Sequence, residues 1–193
     1  MLLFLAGLAL FLGVHAVSIV APAWRTAVVA RRGEASWKGI YSVVAGVGLA
    51  LIIVGYGLAR RDPVVLYDPP AGMRHLALLL MVPVFPLLVA TYLPGRIRRA
   101  VKHPMLLAVK LWAAAHLLAN GMLVDVILFG GFLAWAVADR ISINRRPTAD
   151  AHATPAAPAA PLNDVIAVVA GLALYVVFLL WAHRWLIGVS PLR

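Results

Sequence analysis

Polar positions divide this chain into six apolar runs, and the charges are confined almost entirely to the stretches between them. The first run extends from about Leu2 to Ala21 and stops near Pro22. The second covers 39–58. The third covers 73–93, with Pro83 and Pro86 placed to kink it. Two shorter runs, 104–119 and 122–138, are joined at Asn120-Gly121. The last covers 162–186, after the Pro/Ala tract PTADAHATPAAPAAP. Runs of about 20 apolar residues match a bilayer core of about 30 Å when helical. The pattern predicts an all-α, polytopic membrane bundle of about six transmembrane helices, with 104–138 as a tight hairpin. Residues 1–146 form the main transmembrane domain, 147–161 an extended and mobile loop, and 162–193 a final helix packing on the same bundle. The first run has no basic start and no small-residue cleavage site, so it reads as a retained helix and not a signal peptide.

Composition sharpens this reading. The 193 residues are 64% hydrophobic and 12% charged, with a mean hydropathy of +0.96, too little charge for a soluble domain of this size. Cysteine is absent, which excludes disulfides, iron–sulfur clusters and thiolate chemistry. The net charge of +10 does not point to nucleic acid, because the basic residues flank apolar runs and face anionic lipid. Arg25, Arg31, Arg32, Lys38, Arg96, Arg98, Arg99, Lys102, Arg140, Arg145 and Arg146 fall in alternate loops. The positive-inside rule makes that side cytoplasmic. Six spans then leave both termini outside, which in a bacterial inner membrane is the periplasm.

Against this background two histidines stand out. His15 lies in the middle of the first run, with no ionisable partner on its own helix. His116 lies in the fourth, with Trp112 and Asn120 four residues to either side on one helix face. Folding 104–119 onto 122–138 sets His116 opposite Asp125. A carboxylate on one ring nitrogen would fix the tautomer and leave the other for a metal. The competing reading is a hydrogen-bonded helix–helix staple. Intramembrane ionisable groups are functional candidates by default, and two such imidazoles are what a membrane haem site requires. Lys110 either snorkels to the interface or meets an anionic group such as a haem propionate. His183, near the outer end of the last run, is a reserve ligand, as is His103 before Pro104. His75 and His152 read as boundary or loop residues. Gly46, Gly48, Gly55, Gly57, Gly130 and Gly131 permit close helix packing.

The stretches HPMLLAVKLWAAAHLLANG and LFGGFLAWAVADR, with GLALFLGVHAV and RRGEASWKGIYSV, resemble the NnrU family of bacterial membrane proteins across most of residues 1–146. That resemblance implies a link to nitrite and nitric oxide metabolism in denitrifiers. NnrU proteins are in turn similar to the plant 15-cis-zeta-carotene isomerase, a membrane enzyme containing haem b. Its early-helix axial histidine matches His15, and its second, on a helix opening with His-Pro, matches His116. The resemblance therefore implies haem b on His15 and His116, with Trp112, Asn120, Asp125 and Lys110 around it, and a redox, gas-related or isomerase-like role. It implies membrane lipid, haem, and a hydrophobic small molecule or respiratory component as partners.

Two other classes compete. Arg98, Arg99, Lys102, His103 and Pro104 are similar to the Arg-His-Pro motif of isoprenylcysteine-type methyltransferases. A non-catalytic assembly or transport factor for a respiratory complex would also suit the small size. One tension remains within the leading reading. With a rise of 1.5 Å per residue, a hairpin tip at the outer surface would leave His116 about 10–15 Å shallower than His15. Either the tip is submerged, as runs of 16 and 17 residues suggest, or one ligand is a different histidine.

Overall fold

The computed structural model describes residues 1–145 and 160–192. The expected Pro/Ala loop, His152 and Arg146 lie outside the described residues, apart from the loop's last two positions. The described chain is α-helical, and its one β-bridge joins Val65 and Met122. Five helical stretches are long and apolar enough to cross a membrane, namely Leu2–Val20, Glu34–Ala59, Ala71–Ala90, Leu123–Arg145 and Pro161–Ile187. A sixth apolar helix, Pro104–Ala119, is shorter. The protein is a multi-pass membrane protein by this measure.

Contacts divide the chain into two compact units. The first comprises 1–68 and 121–145. It contains α1 (Leu2–Val20), α2 (Pro22–Arg32), α3 (Glu34–Ala59) and, later in the chain, α8 (Leu123–Arg145). Helices α1 and α3 form its main seam. Gly48 meets α1 at Phe11, where an added Cβ would lie 2.7 Å from the Phe11 nitrogen, and Gly55 meets it at Phe4. Gly7 meets α3 in the same way, 2.6 Å from the Ile52 nitrogen. Small residues let backbones approach where lipid supplies no hydrophobic drive. Gly46, Gly57 and Gly130 face open space, so the packing role expected of the glycines belongs to only some of them. Phe4, Leu8, Ile52 and Val124 form the buried core of this unit.

The second unit comprises 69–120 and 146–193. Its described helices are α4 (Ala71–Met81), α5 (Val84–Ala90), α6 (Arg96–Val101), α7 (Pro104–Ala119), α9 (Pro161–Val177) and α10 (His183–Ile187). Val84, Leu87 and Ala108 form its buried core. The break between α4 and α5 falls at Val82-Pro83, as the prolines predict. Proline has no N–H to donate. At the same break the Val82 N–H turns to the Leu79 carbonyl (3.2 Å), and the Leu78 carbonyl takes the Tyr175 hydroxyl of α9 (3.0 Å). The Asp164 carboxylate of α9 accepts the Arg96 and Ile97 N–H groups at 2.9 and 3.0 Å, satisfying the start of α6.

Several boundaries differ from expectation. The first basic loop is mostly helix α2, opened by Pro22 at its first turn. Helix α3 begins at Glu34, five residues before the expected start, where Glu34 pairs with Lys38 at 2.9 Å. The fifth run has 23 helical residues, since its polar end at Asp139–Arg145 continues the helix. Its shortness therefore gives no support to a submerged joint. The two helices of the expected 104–138 hairpin fall in different units. Helix α7 packs on α4 and α5 within its unit, and α8 on α1 within its own.

Candidate functional site

Histidine chemistry concentrates at two places, one in each unit. In the second unit, His116 of α7 lies beside His183. Their ring centroids are 6.4 Å apart and their planes 24° from parallel. Helix geometry sets the first ring: its Nδ1 lies 2.8 Å from the Trp112 carbonyl one turn earlier, and the Trp112 ring centroid is 5.3 Å away. The Asn120 side chain and backbone N–H both donate to the His116 carbonyl at 2.9 Å, closing the C-terminus of α7. Asn120 thus fixes the helix turn that carries the ring.

His183 is positioned differently. A π-helical turn, Phe178–Ala182, immediately precedes it and shifts the phase of the last apolar helix. Gly188 closes α10 with φ +81°, a left-handed conformation that glycine adopts without strain. The chain then turns back so that the Val189 carbonyl lies 2.7 Å from His183 Nδ1. Both rings accordingly meet a backbone carbonyl at Nδ1, which fixes the tautomer with Nδ1 protonated and makes Nε2 the basic nitrogen.

In the first unit, His15 of α1 shows the same bond, with Nδ1 2.6 Å from the Phe11 carbonyl. It stacks on Phe11 at 4.3 Å, with Tyr41 tilted at 5.1 Å and Trp135 edge-on at 5.7 Å. A cavity of about 390 Å³ opens beside it.

Asp125 also belongs to the first unit and is fully buried. Tyr56 of α3 donates its hydroxyl to one carboxylate oxygen at 2.6 Å, and the Met122 N–H donates to the other at 3.3 Å. This residue occupies the third position of α8 and reaches back to the residue before it, as an acidic residue does in a capping box. The Asp125 carboxylate also helps burial raise the phenol of Tyr67 in the adjoining loop. Its bonding here is that of a helix cap and an interhelical staple.

The remaining candidates are spread out. Lys110 is half-buried on α7, but six residues from His116 is about 120° around the helix, a different face. His103 precedes Pro104 and accepts the Leu107 N–H at its carbonyl (3.2 Å). Its own N–H bonds the Val101 carbonyl (2.8 Å) across Lys102, which has φ +63°. That is a tight, strained γ-turn. His75 is exposed on α4. Among the described residues no group of three or more His, Asp or Glu side chains gathers as a metal cluster. The sequence offered His183 as a reserve ligand, but not its place beside His116. It also missed Tyr41 and Trp135 around His15.

No curated protein and no solved structure matches the chain. The family model described as NnrU protein matches residues 3–191, so it extends past residue 146 to include α9, the π-helical turn and His183. The match spans nearly all of the 193 residues, and the chain belongs to the NnrU family.

Proposed function

We propose that this NnrU-family protein binds haem b within the membrane, and that His116 and His183 would hold it. The observation that carries this reading is the pair's geometry. These two bring their imidazoles together within the second unit, as two protein ligands of one haem would require. The observed separation is 6.4 Å with near-parallel rings. Both rings meet a backbone carbonyl at Nδ1, the arrangement that orients a metal-binding histidine. A porphyrin supplies four iron ligands of its own, so two protein ligands suffice. His183 takes the role that the family resemblance suggests for His15.

Bound in this way, haem would supply one-electron exchange or capture of a diatomic gas. That chemistry suits a redox or gas-responsive role in nitrite and nitric oxide metabolism in a bacterial inner membrane. This chain's part is orientation. Trp112 and Val189 carbonyls hold the rings, Asn120 holds the end of α7, and Gly188 allows the return of the chain. The test is the reduced-minus-oxidised spectrum of protein made with ample haem. It should show b-type bands at about one haem per chain. A folded, colourless protein would leave the assembly-factor reading in its place.

A further inference from the structure

The cavity of about 390 Å³ beside His15 lies within the first unit, at the end where α1 finishes and α3 begins. Helix α2 runs between them there, and the late residues of α8 reach the same end. Small-molecule sites span about 300–1,000 Å³, and this one falls in that range. Its charges cancel. Arg25 and Lys38 are balanced by Asp139 in the lining and by Glu34, which pairs with Lys38 at 2.9 Å. A site without net charge has no field to draw in an ion, so a neutral occupant suits it. The walls are aromatic. The His15 ring has Tyr41 at 5.1 Å and Trp135 edge-on at 5.7 Å, and Trp37 lies 6.4 Å from Tyr41. The Trp135 Nε1 is buried, so that side chain contributes ring carbon to the lining and not a donor.

Two polar groups remain to orient a ligand. His15 Nδ1 is committed to the Phe11 carbonyl at 2.6 Å, which leaves Nε2 as an acceptor. Tyr41 is half-buried, and its hydroxyl bonds nothing among the described residues. An acceptor and a donor thus belong to two adjacent rings. A ligand hydroxyl, which both donates and accepts, matches the pair. A flat ring carrying that hydroxyl matches the walls, through offset and edge-on contacts. Arg25, Arg31, Arg32 and Lys38 mark this end as the level of the membrane surface, where an amphiphile places its polar head. We propose that this cavity binds the head of a neutral hydroquinone-type amphiphile. One hydroxyl donates to His15 Nε2 and accepts from the Tyr41 hydroxyl, and the ring lies against Trp37 and Trp135. The proposal concerns binding alone and does not rest on haem.

Isothermal titration of the full chain in a neutral detergent, under anaerobic conditions, tests it with three probes: 2-decyl-1,4-hydroquinone, its dimethyl ether and 1-decanol. The hydroquinone should bind saturably. The ether, which cannot donate, and decanol, which has no ring, should each bind about tenfold more weakly. His15→Phe keeps a flat ring and removes the acceptor, so it should weaken the hydroquinone about tenfold. Tyr41→Phe should weaken it severalfold, and neither variant should change the circular dichroism. Tyr92→Phe, which alters an exposed tyrosine of the second unit, should leave binding unchanged. The visible spectrum of His15→Phe should equal that of the wild type. The proposal is overturned if the hydroquinone partitions without saturating, or binds no better than the ether or decanol. Wild-type affinity in both His15→Phe and Tyr41→Phe would overturn it, and so would an equal loss in Tyr92→Phe. A spectrum altered by His15→Phe would overturn it too, by assigning the cavity to haem.

Discussion

Removing the Tyr56 hydroxyl should cost this protein more than most single interhelical contacts do. Tyr56→Phe deletes one oxygen and leaves the ring packed. Among the described residues, Asp125, fully buried, then keeps only the Met122 N–H at 3.3 Å. In water-soluble proteins a hydrogen bond to a charged group contributes about 1.5–3 kcal/mol. Interhelical bonds in membrane proteins average about 0.6 and reach about 1.7 kcal/mol, because the unfolded chain in the membrane also finds partners. The short 2.6 Å bond and complete burial place this pair at the upper end of the membrane range, about 1–1.7 kcal/mol. Asp125→Asn should cost less. Its side-chain oxygen still accepts from Tyr56, and the loss is of the acceptor for the Met122 N–H and of negative charge at the α8 N-terminus, the latter about 0.3–1 kcal/mol. The assay is detergent-induced unfolding followed by circular dichroism, for Tyr56→Phe, Asp125→Ala, the double variant and wild type. A coupling energy below about 0.3 kcal/mol would show that the bond contributes nothing specific.

The α1–α3 seam makes a contrast inside one glycine run: Gly55→Ala should lower the unfolding midpoint and loosen the seam, whereas Gly57→Ala, which faces open space, should be neutral or slightly stabilising in the same assay. Gly188→Ala imposes a left-handed alanine at a cost of about 1–2 kcal/mol; because its Cβ would meet nothing, the effect should appear as fraying of α10 and a shifted His183 imidazole signal in magnetic resonance spectra, and an unchanged signal would separate the turn from the ring. In right-side-out vesicles, a cysteine at Gly33 should be shielded from an impermeant reagent and one at Asp62 modified, since Arg25, Arg31, Arg32 and Lys38 set the cytoplasmic side; labelling of both would refute the orientation of α3.

The helices were legible because lipid-facing segments need long apolar runs, and charge breaks at Arg25–Lys38, Arg60–Arg61 and Arg96–His103 punctuate them. Their ends were less so. Asp139, Arg140 and Arg145 read as loop, yet interfacial charges extend α8 without penalty once the chain leaves the hydrocarbon. Proline was informative at Val82-Pro83, where a missing donor has a direct structural consequence. The candidate site was half visible. His15, His116 and Asp125 could be singled out because ionisable groups are expensive in apolar runs. Their partners could not be read, because they come from distant helices: Tyr56 for Asp125, His183 for His116, Trp135 for His15. The π-helical turn before His183 has no sequence signature in FLLWA, yet it sets the phase at which that ring emerges.

The central claim is that His116 and His183 share one haem iron. The most direct measurement is the low-temperature reduced-minus-oxidised spectrum of the purified protein and of His116→Ala, His183→Ala and His15→Ala, at equal protein and with haem extracted and counted. The account predicts low-spin b-type bands at about one haem per chain in the wild type and in His15→Ala, and their loss in His116→Ala and in His183→Ala. Bands that survive both of those substitutions, or that vanish in His15→Ala while His183→Ala retains them, would contradict it.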